Sequence, residues 1–190
     1  MEPKCYVTIF NVPALNETLK TSSNPTIVST VEFDNVNTEY GIEYDNINIT
    51  FGIFLDQSRT RPIGNYTIEG FYQGYEMNEL KRASVEIDGS GLNRTAKKVE
   101  GKTHFRVDFM TSVKYKNSGP YTKRQSLWGG ANVPVDDSGN KAGKKHIILW
   151  HTVPVIVSGA PLLAGCSTMM ILGPFVYVLF LSLAIFLSFS

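Results

Sequence analysis

Polar and apolar side chains alternate along two stretches of this chain. In NINITFGIF, residues 46–54, Ile47, Ile49, Phe51 and Ile53 fall on one side and Asn46, Asn48, Thr50 and Gly52 on the other. In HFRVDFMTSVKYK, residues 104–116, Phe105, Val107, Phe109, Val113 and Tyr115 oppose His104, Arg106, Asp108, Ser112, Lys114 and Lys116. A period of two sends successive side chains to opposite faces of a strand, and this split is what an antiparallel sheet with one wet face requires. No 3.6-residue period runs for long, so helices are not expected to build the core.

Weaker strands are read at 4–12, 25–34, 64–71, 83–88, 126–135 and 145–153. The segments SSNP, DQSRTRP, IDGSG, KNSGP and DDSGN separate them with the Gly, Pro, Asn, Asp and Ser that turns use. Residues 55–62 and 88–103 are expected to be loops. The pattern predicts an all-β fold, an antiparallel β-sandwich of about seven strands. Residues 1–152 form the expected domain, large enough to bury a core without disulfides or metals. Residues 153–190 carry no charged side chain and form a separate hydrophobic segment. Only two cysteines occur, Cys5 in the domain and Cys166 in that segment, which excludes a disulfide framework. Cys5 is expected to pack as a small hydrophobe.

The net charge of +1 hides an uneven distribution. Residues 1–57 are acidic, net −6, and residues 58–152 basic, net +7. The basic side chains come singly or in pairs, such as Lys81-Arg82 and Lys123-Arg124, as on a solvated surface rather than a nucleic-acid-binding patch. His104, His146 and His151 lack the helical spacing of a metal pair, and no nucleophile elbow, Walker or dinucleotide-binding motif occurs. Asp136-Asp137 would point to opposite faces of a strand and are read as a turn. No cofactor and no catalytic activity are expected.

Four N-x-[S/T] sequons stand at Asn16, Asn48, Asn65 and Asn93. Asn48 lies on the polar face of the clearest strand, Asn65 shares a face with Thr67 and Glu69, and Asn93 falls in an expected loop. Four acceptors within residues 16–95 predict N-glycosylation and hence luminal exposure during synthesis. Met1–Glu17 hold no apolar run of signal-peptide length.

The last 38 residues, Val153–Ser190, admit two readings. Gly173-Pro174 breaks or kinks any helix there. The 15 residues after it, Phe175–Phe189, are fewer than the roughly 20 a span needs. A retained anchor would have to start near Met169 and run through the kink. A glycosylphosphatidylinositol (GPI) signal needs small residues at the attachment site, a short spacer and a hydrophobic tail. Ser158-Gly159-Ala160, Pro161–Thr168 and Met169–Phe189 supply them, with Ser158 as the attachment residue.

VPALNETLKTSSNPTI, GIEYDNINITF, PIGNYTIEGFYQGYEMNELKRASVEIDG, FRVDFMTSVKYK and KRQSLWGGANVPVDDSGNKAGKK follow one another in this order. Together, across roughly residues 4–148, they resemble the plant non-race-specific disease resistance/harpin-induced-like membrane proteins, and within them the disease-resistance branch. The most specific pieces are Gly41–Asp45 leading into Asn46–Phe51, and GNYTIEGFYQG at 64–74. The resemblance implies a late-embryogenesis-abundant type-2 β-sandwich and a glycosylated, GPI-modified chain on the outer face of the plasma membrane. It implies a role in resistance signalling after pathogen perception, with protein partners in immune signalling. The adhesion tripeptides Arg-Gly-Asp and Asn-Gly-Asp are absent and the corresponding turn reads DDSGNKAGKK, which weakens an integrin-like contact. Lys141, Lys144 and Lys145 are instead the candidates for meeting acidic wall polymers. A rival expectation is a tail-anchored, cytosol-facing stress-protective or scaffolding protein.

Overall fold

The computed structural model describes residues 2–16, 25–56, 59–87, 98–143, 146–149 and 151. Eleven strand segments lie among them: β1 (Lys4–Asn11), β2 (Thr26–Asn35), β3 (Gly41–Tyr44), β4 (Ile47–Phe54), β5 (Thr60–Ile68), β6 (Phe71–Gln73), β7 (Met77–Glu86), β8 (Lys98–Val99), β9 (Lys102–Lys116), β10 (Gln125–Val135) and β11 (Ile147–Ile148). A 3-10 turn at Pro13–Leu15 is the only helical segment among the described residues. All pairings are antiparallel. A smaller sheet runs β11-β1-β2-β7; a larger one runs β5-β4-β9-β3-β6, with β10 and β8 also paired to β9.

The two stretches of clearest alternation are β4 and β9, and they pair with each other from Asn48↔Met110 to Ile53↔Phe105. Their apolar sets point inward: Ile47, Ile49, Phe51, Ile53, Phe105, Val107, Phe109 and Val113 are all buried. Aromatic rings join the sheets. Phe10 of β1 meets Phe105 and Phe51 at centroid distances of 5.4 and 6.0 Å. Phe33 of β2 meets Tyr44, Phe71 and Phe109 at 5.4, 5.7 and 6.3 Å. Edge-on and tilted pairs at these separations add to the burial of the rings themselves. Beside them, the Tyr44 hydroxyl donates to Gln73 Oε1 at 2.9 Å, and Gln73 Nε2 donates to the carbonyls of Phe33 and Met77. A buried amide is tolerable only when satisfied in this way. Cys5 is buried as expected, and burial pushes its thiol well above the ordinary range.

Several boundaries differ from the sequence reading, each for a local reason. In β1 one extra residue between Val7 and Ile9 reverses the inward parity. Cys5 and Val7 point in before it, Phe10 and Val12 after it, and Ile9 is left exposed. The expected loop at 55–62 is strand from Thr60, because Arg61 and Pro62 pair with Ile53 and Gly52 across an irregularity in β5. Within the expected loop 88–103, Lys98 and Val99 pair with Thr103 and Lys102. The hairpin between them has positive φ at Glu100 and Gly101, the backbone of a tight two-residue turn. The strand expected at 83–88 begins six residues earlier, at Met77, and of that expected at 145–153 the described residues form strand at Ile147–Ile148, with 145, 150, 152 and 153 outside the described residues.

The wet face also departs from expectation. Arg106 lies on it yet is nearly buried, its guanidinium bonded to Asp108 Oδ1 at 2.8 Å and Asn132 Oδ1 at 3.2 Å. Its neighbours Gly52 and Gly130 bring no side chain there, so the long stem lies flat across the sheet.

The last described residues close on β1. The Leu149 N–H donates to the Cys5 carbonyl, His146 meets Glu32 and His151 meets Glu2, both at 3.2 Å. The turn after β10 docks there too: Val12 N–H donates to the Gly139 carbonyl at 2.7 Å. Asp136 holds that turn by accepting from Ser138 Oγ, Ser138 N–H and Asn140 N–H. Asp137 pairs with Lys98 instead, so the two acids are a turn, as read from sequence.

Replacing Phe33 by alanine removes the ring shared by three partners and is expected to cost about 3–5 kcal/mol in urea denaturation. Ile9→Ala, on exposed surface, is expected to change stability by less than about 0.5 kcal/mol. The bond from Ser138 Oγ, and next that from Asn140 N–H, hold the Asp136 carboxyl below the usual range. Its contribution is therefore present above the unfolded carboxylate pKa and lost as pH falls through the lower folded value. The protection of the Val12 amide, taken relative to its intrinsic exchange rate at each pH, is expected to fall at acid pH in the wild type and to lose that dependence in Asp136→Asn. An unchanged acid profile in the variant rules out Asp136 as its source.

Candidate functional site

Along one edge of β9, β4 and β3 follow one another. β3 pairs with β9 up to Tyr44↔Val113, and β4 resumes at Asn48↔Met110. Three residues, Asp45 to Ile47, thus face only Thr111 and Ser112, a bulge that bends the strand. Asp45 stays tied across it: its N–H donates to the Ser112 carbonyl at 2.9 Å and its carbonyl accepts from Thr111 Oγ1 at 3.0 Å. The neighbouring chain breaks at the same place, between β5 and β6, at Glu69-Gly70. There the Gly70 N–H donates to Asn46 Oδ1 at 2.9 Å. A Cβ on residue 70 would stand 2.6 Å from the Tyr44 carbonyl oxygen, so the close approach requires glycine.

The paired kinks shape an open groove of about 1070 Å³ on the outer face of the larger sheet. Aromatic and apolar walls come from Tyr72, Tyr121 and Met110, which are 53%, 42% and 58% exposed. Tyr72 lies across Gly41, where a Cβ would strike its ring. Tyr121 is flanked by the ammonium groups of Lys116 and Lys114, 4.9 and 5.7 Å from its centroid. The polar walls carry paired charges. Arg124 grips Asp45 with two prongs, Nε to Oδ2 at 3.0 Å and Nη2 to Oδ1 at 3.1 Å. Lys114 stands 3.8 Å from Glu43. None of the three histidines lines the groove. Planar rings beside carboxylates, amides and a guanidinium suit the recognition of a polar, partly apolar ligand.

The structure brings two of the predicted glycosylation sites together. Asn48 and Asn65 are both exposed, on the adjacent strands β4 and β5. Their sequons are reciprocal: Asn48 stands opposite Thr67, and Thr50 opposite Asn65. Thr67 Oγ1 donates to Asn48 Oδ1 at 3.0 Å. Asn48 lines the groove and Asn65 does not. Asn16 is separate, half-buried after the 3-10 turn, with its N–H donating to the Pro13 carbonyl. Asn93 and Ser158 lie outside the described residues, as do Lys144 and Lys145. Lys141 is described and partly buried, which lowers the pKa of its ammonium group. Among the described residues no three metal-ligating side chains gather, and no helix is long and apolar enough to cross a membrane.

The groove was not read from the sequence. Its one signal was Gly70 inside the expected strand 64–71, since an interior glycine marks a bulge or a close backbone approach.

No family model matches the chain. It is 33% identical over 150 residues to Protein NDR1 of Arabidopsis thaliana, covering 77% of this chain and 68% of that protein. At this identity over most of both proteins, the chain belongs to the NDR1-like disease-resistance family.

Proposed function

We propose that this chain is a non-enzymatic, membrane-anchored cell-surface protein that contributes to plant disease-resistance signalling. The observation that carries this reading is the identity with Protein NDR1 over 150 residues. The kinked groove supports binding as its mode of action, since it gathers aromatic rings, amides and paired charges suited to recognition. In this reading Ser158 carries a GPI anchor on the outer face of the plasma membrane. Asn16, Asn48, Asn65 and Asn93 carry glycans, and the exposure of Asn48 and Asn65 on one sheet face supports their access to solvent. Its partners are proteins of immune signalling. A second contact, with acidic wall polymers, would use the basic residues Lys141, Lys144 and Lys145.

Phosphatidylinositol-specific phospholipase applied to membranes of plant cells expressing the chain is expected to release it, and glycosidase treatment to increase its gel mobility. Retention of the chain with no mobility shift would favour the cytosol-facing stress module. Disruption of the gene is expected to weaken restriction of pathogen growth; undiminished restriction across challenges would remove the resistance role. On immobilised polygalacturonate, retention that fades with added salt is expected. Retention unchanged by salt, or none, rejects the basic wall contact.

A further inference from the structure

Asn48 is an expected glycan acceptor that also forms part of the wall of the groove. Its amide has two ends. The oxygen is engaged by Thr67 on the β5 side, at 3.0 Å. In a planar amide the nitrogen then points away from Thr67, and on the other side of Asn48 stands Met110 of β9. On glycosylation, Nδ2 gives up one hydrogen and bonds to the anomeric carbon of the oligosaccharide. The lipid pyrophosphate carrier leaves with the bonding electrons. The first sugar therefore starts at the mouth of the groove and on its side of the strand.

We propose that the glycan on Asn48 folds back along the groove and occupies it, a binding site for the chain's own sugar; the inference rests on the glycosylation reading above. The path follows β9. Met110, exposed beside Asn48, meets the apolar face of the first N-acetylglucosamine. Next come the Asp45–Arg124 pair and Ser112, whose oxygens and guanidinium N–H groups match the acetamido and hydroxyl groups of a sugar. Tyr121, part-exposed and flanked by Lys114 and Lys116, closes the far end. From Met110 to Lys114 the strand rises about 13 Å, room for the first few sugars.

Charge argues for a neutral occupant. Glu43, Asp45 and Glu69 border the groove, with Arg124 and Lys114 already paired to two of them. A polyanionic wall polymer would face these carboxylates, whereas neutral sugars use them as acceptors. Asn65 provides the contrast within the same molecule. It is equally an exposed acceptor, but on the edge strand β5 and outside the groove.

The test uses the full chain made in plant cells and a peptide N-glycosidase active on plant glycans. Peptide mass reads occupancy at each asparagine and its conversion to aspartate as the glycan is cut away. On the native protein, release at Asn48 is expected to be roughly tenfold slower than at Asn65, as for a locally protected site. The difference is expected to vanish on denaturation and in the double variant Met110→Ala/Tyr121→Ala. The same variant should lower the Tm of the glycosylated protein by about 3 °C and leave the deglycosylated protein unchanged. Equal native release rates at two occupied sites would overturn the docking and leave the glycosylation reading standing. An unoccupied Asn48 beside an occupied Asn65 would overturn the docking at its premise, whereas no occupancy at any sequon would remove the glycosylation reading as well.

Discussion

A strand has only two hydrogen-bonding edges, and the larger sheet depends on how β9 divides them. One edge is taken by β10 in unbroken register from Thr103 to Val113. The other is shared in series by β8, β4 and β3. The inward side chains of β9 meet the aromatic rings of the smaller sheet, as Phe105 meets Phe10 and Phe109 meets Phe33. Sharing one edge between β3 and β4 leaves one residue too many at Asp45–Ile47. The bend, the groove and the place of Asn48 follow from that surplus. The floor of the groove is thus anchored in the best-paired strand of the fold, which favours a stable shape, while Tyr121 and Arg124 reach it from the connection between β9 and β10.

The alternation of side chains made β4 and β9 legible, because their inward faces are apolar almost without exception. It also located β1, β2 and β10 to within a residue or two. It did not reveal β3, β6 or β8, which are two to four residues long and too short for a period to be detected. Nor did it reveal Thr60–Pro62, where polar residues and a proline read as a turn but the partner strand supplies the pairing. Ile9 shows the same limit from the other side. Strict alternation would carry it inward after Cys5 and Val7, and one inserted residue turns it to solvent. The sequons were visible as local patterns, whereas the pairing of Asn48 with Thr67 depends on register between strands, which no local pattern encodes.

The two segments that carried the family resemblance most specifically, Gly41–Phe51 and residues 64–74, turn out to be neighbours. They are the two kinked chains β3–β4 and β5–β6, hydrogen-bonded to each other along their length. Gly41 makes room for Tyr72, and Gly70 lets one chain approach the other. The residues that distinguish this sequence from a generic sandwich are therefore those that bend the sheet and fit out its groove. Core positions accept many apolar residues of similar volume, while a close backbone approach accepts few.

The closure of the described C-terminal residues on β1 also has a mechanical side. Among the described residues only Ile147 and Ile148 form this strand, and their partners Val7 and Tyr6 lie near the start of the chain. A pull on His151 directed away from β1, across the strands, would load the hydrogen bonds of β11 one after another, as in opening a zipper. The contacts with Glu2 and Trp128 would yield first, followed by the Leu149–Cys5 bond. The well-paired body of the sandwich would feel the force only after this short strap had peeled away, so β11 is built as the weak link between the fold and whatever draws on that end.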